Sequence, residues 1–168
     1  MAIDPDLLPA RALFDTGVLI RALRQKQDAD SIPCQDLFDA MLANGREIIV
    51  AAPTLAEMYR AMPQGAKPKP LPRFPGVEVI AFDERAARVV GAELPMGVLR
   101  KTNTAAGTPL SYLKADAMIV ACGKIGSVAC IVALDADLHA LAPQVGIAVR
   151  RPIDFEKKQV EMALPPRK

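Results

Sequence analysis

The chain has no tryptophan, one histidine, three cysteines, and only five phenylalanines and two tyrosines among 168 residues. Each shortage excludes something. Aromatics at 4% argue against binding single strands on a platform of stacked rings. One histidine, His139, and three cysteines without CxxC spacing, Cys34, Cys122 and Cys130, support neither a zinc site nor a disulfide scaffold. Cys122 and Cys130 lie in apolar runs, so buried free thiols are expected there. His139 reads as a surface or half-buried side chain rather than a base. A large excess of one charge is missing too. The net charge is +2, too small by itself to mark a nucleic-acid binder. No apolar run approaches the roughly eighteen residues of a membrane span. The first residues carry Asp4 and Asp6 instead of a basic then apolar leader. The expectation is a cytoplasmic protein in a reducing compartment, with no membrane partner.

What is present is an apolar chain, 51% hydrophobic, long enough for one domain with a real core. Apolar runs at 10–14, 47–51, 77–82, 129–134 and 146–149 predict five strands. Helical spacing predicts helices over about 18–27, 34–43, 53–60, 84–94, 110–124 and 137–142. Strands alternating with helices mean a mostly parallel five-stranded sheet with helices on both faces. The stretch 62–76, with five prolines, reads as an irregular surface loop or a mobile flap, because no regular element runs through so many prolines, and 95–109 reads as a second loop rich in Pro, Gly and Thr. Lys67, Lys69, Arg73, Arg100 and Lys101 lie in them. Residues 1–152 read as a single domain, and 153–168 as a polar tail.

Four acids share a placement. Asp15 and Asp135 follow apolar strands, Glu57 lies in the helix after the second strand, and Asp116 precedes the all-apolar Ala117–Cys122. In a doubly wound sheet such positions gather at the carboxyl edge, where the ligand crevice lies. Four carboxylates cannot share that space fully ionised without a compensating cation. Oxygen-only ligands select hard cations such as Mg²⁺ or Mn²⁺. A metal held there activates water and neutralises phosphate charge, which suits phosphodiester cleavage. The plain alternative is structural. Asp15 and Asp135 also suit helix N-caps, and Glu57 could pair with Arg60. Lys114, two residues before Asp116, is a candidate to border the site and meet phosphate.

The segments Asp15-Thr16, Thr54-Leu55-Ala56-Glu57, Asp116-Ala117-Met118-Ile119-Val120-Ala121 and Val132-Ala133-Leu134-Asp135-Ala136-Asp137-Leu138, in that order, resemble PIN domains, especially the VapC-type toxin ribonucleases. Gly146-Ile147 and Pro152 extend the likeness, which spans about 10–152. The resemblance implies a three-layer α/β/α sandwich, dependence on Mg²⁺ or Mn²⁺, and cleavage of RNA by a homodimeric toxin with an antitoxin partner. It gives Asp15, Glu57, Asp116 and Asp135 the acidic metal-site roles, with Asp137 as an outer or alternative acid and Thr16 orienting Asp15. Gly17 departs from the small polar residue usual after the Asp-Thr pair. Leu134 and Leu138 depart from the family's usual Thr-x-Asp-x-Asp-Phe pattern.

Three rivals stand beside this reading. Asp15-Thr16-Gly17 also spells the motif of aspartic proteases, which need two aspartates sharing a proton, but helical residues follow it here. A phosphatase forming an aspartyl-phosphate wants a second Asp at position 17, which is Gly. A non-catalytic PIN-like module would keep the same acids as caps and surface charges.

Overall fold

The computed structural model describes residues 2–24, 28–60, 75–106 and 109–157. Five strands form one sheet: β1 Arg11–Phe14, β2 Glu47–Ala51, β3 Val77–Ile80, β4 Cys130–Val132 and β5 Ala148–Arg150. The helices are α1 Thr16–Ala22, α2 Ile32–Ala43, α3 Ala52–Arg60, α4 Glu84–Glu93, α5 Met96–Ala106, α6 Leu110–Ile125 and α7 Ala136–Leu141. The order across the sheet is β3-β2-β1-β4-β5, and every pairing between these strands is parallel. The chain winds outward from β1 through β2 to β3, then returns to place β4 on the other side of β1. That reversal is the switch point of a doubly wound sheet, with its crevice outside the carboxyl ends of β1 and β4.

Side chains alternate across each strand, so the sheet feeds two cores. Leu13, Ile49 and Ile131 point to one face, where they pack with Ala86 of α4, Leu99 of α5, Leu138 of α7 and the buried side of α6. Ala12, Phe14, Ile48, Val50 and Val132 point to the other, against Val18 and Leu19 of α1 and Leu37, Phe38 and Met41 of α2. With both faces covered, the strands read as unbroken apolar runs. The architecture is a three-layer α/β/α sandwich. The later part of α6 is apolar nearly all round because it lies in the interior; Ile119–Gly123 is wholly buried.

Two departures from the sequence reading have clear causes. Residues 96–106, expected to lie in a loop, form α5. Pro95 and Pro109 bracket that helix instead of interrupting it, and the Pro95 carbonyl accepts from Val98 and Leu99. The 62–76 loop, with Lys67, Lys69 and Arg73, falls outside the described residues except at its last two positions. At the other end, the fold continues past residue 152. Phe155 is fully buried under the Arg150 guanidinium, 4.6 Å from its ring centre. The backbone amides of Asp4 and Lys157 bond to the carbonyls of Phe155 and Ala2, tying residues 2–4 to residues 155–157. Phe155→Ala is therefore expected to cost about 3–5 kcal/mol, read as a lower urea midpoint with an unchanged slope.

Candidate active site

β1 ends at Phe14, and the next residue, Asp15, stops the strand and caps α1, its carboxylate accepting the Gly17 amide at 3.2 Å. Asp135 does the same after β4, capping α7 by accepting the Asp137 amide at 2.7 Å. Both acids are thus the N-caps that the plain reading expected. The caps also aim them into the switch-point crevice. A third carboxylate comes from α3, where the Thr16 hydroxyl, expected to orient Asp15, donates to Glu57 instead; among the described residues Glu57 makes no ion pair with Arg60. Asp116 comes from the middle of α6 rather than its start, and Asp137 from the first turn of α7.

All five acids line one open crevice of about 920 Å³. Asp15 and Asp137 are buried and Asp135 is exposed at the rim. Burial and the neighbouring charges raise the proton affinity of two of the acids, Asp116 and Asp15. Burial first, then the charge of Asp135, Asp15, Glu57 and Asp137, pushes Asp116 up to about 8. Burial also raises Asp15 to about 6, against the pull of the Gly17 and Thr16 amides. The cations lining the crevice are Arg21 and Arg60, and Arg21 donates to the Gly17 carbonyl at 2.9 Å. Such a set of oxygen donors, repelling one another and short of compensation, fits a hard divalent cation. Among the described residues, no three acidic, histidine or cysteine side chains already form a group able to hold an ion.

The chain matches no protein-family model and no curated protein. It is similar in three dimensions to a chain of FitAB bound to an IR36 DNA fragment, at 21% identity and TM-score 0.55, over 89% of this chain and 99% of that one. It is also similar to a chain of VapBC2 from Rickettsia felis bound to a fragment of promoter DNA, at 15% identity and TM-score 0.56, over 84% and 98%. The chain shares the PIN-like α/β/α fold of these two structures.

On this PIN-like scaffold the structure brings Asp15, Thr16, Glu57, Asp116, Asp135 and Asp137 to one crevice. Lys114 it does not. That side chain is exposed and does not line the crevice, because two residues along a helix are about 200° apart. The sequence reading missed Arg21, Arg60, Ser111 and Tyr112, which do line it. Helical spacing was the available signal: Tyr112 lies four residues before Asp116, and Arg60 three after Glu57, each on its acid's own face. The cysteines contribute no chemistry. All three are buried and unpaired, and burial pushes Cys122 and Cys130 up to about 11, which leaves them as inert thiols. Among the described residues no helix is long and apolar enough to cross a membrane.

Proposed function

We propose that this chain is a metal-dependent endoribonuclease that cleaves RNA phosphodiester bonds, and that it is the toxin of a type II toxin–antitoxin pair, cytoplasmic and homodimeric. The observation that carries this is the convergence of five carboxylates, from four separate segments, on the crevice at the sheet's switch point. Asp15, Glu57, Asp116 and Asp135 are the residues assigned to hold Mg²⁺ or Mn²⁺, with Asp137 beside them. Held there, such an ion would supply activation of water and neutralisation of phosphate charge. The chain's own residues prepare that chemistry. Backbone amides fix Asp15 and Asp135, the Thr16 hydroxyl orients Glu57, and the apolar neighbours of Asp116 keep its carboxylate in poorly hydrated surroundings where a cation is strongly favoured.

VapBC2 was solved on DNA from its own promoter, and the likeness to it supports an antitoxin partner for this chain. A second reading, a non-catalytic PIN-like binding module, draws on the open arrangement of the carboxylates; a further nuclease role, in RNA processing, shares the same site. Incubation with single-stranded RNA and Mn²⁺ separates the first reading from the second. Cleavage that chelation abolishes supports the nuclease. Intact RNA at every metal concentration overturns it.

A further inference from the structure

Tyr112 is placed where a core aromatic would not be. It is one of only two tyrosines, it is 64% exposed, and it lines the acidic crevice. It sits in the first turn of α6, four residues before Asp116, so the two side chains share a helix face about 6 Å apart along the axis. That span is comparable to one nucleotide. Arg60, which also lines the crevice, closes α3 one turn beyond Glu57 and is exposed on the surface.

We propose that Tyr112 is a base-stacking residue: resting on the nuclease reading above, it holds the nucleobase beside the scissile phosphate while Arg60 meets a neighbouring phosphate. The crevice sets five carboxylates against two arginines, Arg21 and Arg60, so away from those cations and a bound metal it repels a polyanion. Affinity for the strand must therefore come from contacts insensitive to that repulsion, and a ring face offers one to any base. The scarcity of aromatics excludes a platform of several rings, but one ring suffices for one base. A stacked base must be unpaired, so the contact selects a single strand over a duplex. Tyr112 is a positioning residue here, since the phosphodiester is cut at the carboxylates.

The test uses a single-stranded RNA carrying 2-aminopurine, bound in Ca²⁺ to hold off cleavage, with the native chain, Tyr112→Phe and Tyr112→Ala. Stacking quenches the 2-aminopurine in the native chain and in Tyr112→Phe, which keeps the ring. Tyr112→Ala loses the quench and binds roughly tenfold or more weakly. In Mn²⁺ its KM rises similarly, with kcat nearly native and the Mn²⁺ shift in melting temperature retained. Arg60→Ala lowers the slope of log affinity against log salt by about 0.7. Native affinity and quench in Tyr112→Ala overturn the proposal. So does a Phe variant as weak as Ala, which would assign the role to the hydroxyl. A change of oligomeric state in Tyr112→Ala with RNA affinity untouched assigns the ring to a protein contact and likewise overturns it. If even the native chain binds no RNA, the nuclease reading itself has failed, and this inference with it.

Discussion

Asp116→Asn is expected to lower Mn²⁺-dependent RNA cleavage by about 10²-fold or more while leaving the fold intact. The reasons lie in its position. Asp116 receives repulsion from Asp135, Asp15, Glu57 and Asp137 in addition to burial, so it lies at the electrostatic centre of the five acids. An amide of the same shape removes the charge that attracts the cation without leaving a cavity. It also removes the repulsion, so folding is not harmed. Rates with saturating Mn²⁺, beside circular dichroism of both chains, make the comparison. Unchanged cleavage by Asp116→Asn would show that the reaction, if any, proceeds elsewhere.

The second large effect is on stability against pH in chelator. In the unfolded chain Asp116 titrates near 3.8, and in the folded chain near 8; Asp15 moves from 3.8 to about 6. Between these values the folded state binds more protons than the unfolded one. Stability therefore falls as pH rises from about 4, continues to fall through 6 to 8, and levels off above. A tenfold difference in proton affinity between the two states is worth about 1.4 kcal/mol. With Asp116 part-exposed and its neighbours free to relax, roughly 1–3 kcal/mol survives, or about 3–10 °C in melting temperature. Asp28 and Asp83, held low by hydrogen bonds to Ser31 and to the Ala86 amide, act in the opposite direction as pH falls. The difference between native and Asp116→Asn isolates the crevice. The variant melts higher than native above pH 7 and flattens the decline. A native-like slope in the variant would mean that Asp116 is not the group being neutralised.

Much of this arrangement was legible before the fold was known. The strands stood out as apolar runs because a sheet covered on both faces leaves no polar alternation to obscure them. The β2 segment Glu47–Ala51 was read to the residue. Asp15 and Asp135 were visible because an acid after an apolar strand is a local signal, whether it caps a helix or lines a crevice; here it does both. What stayed hidden was set by tertiary context. α5 lay between prolines that suggest a loop, and its helix depends on burying Leu99 against the core formed with α6 and α7. Phe155 looked like part of a polar tail because the partners that bury it, Arg150 and the chain's first residues, are remote or unremarkable in sequence. Lys114 was favoured by nearness along the chain, yet the helix turns it away, while Tyr112, farther along, shares the face of Asp116.

Thermal unfolding with and without Mn²⁺, for the native chain and Asp116→Asn, tests most directly whether these carboxylates form one cation site. A ligand that binds only the folded state at a hundred times its Kd adds about 2.7 kcal/mol, or roughly 5–10 °C for a domain of this size. The expected result is that rise in the native chain, little or none in the variant, and a variant that melts above native in chelator. Equal responses of the two chains to Mn²⁺, or none in either, would contradict a shared cation site.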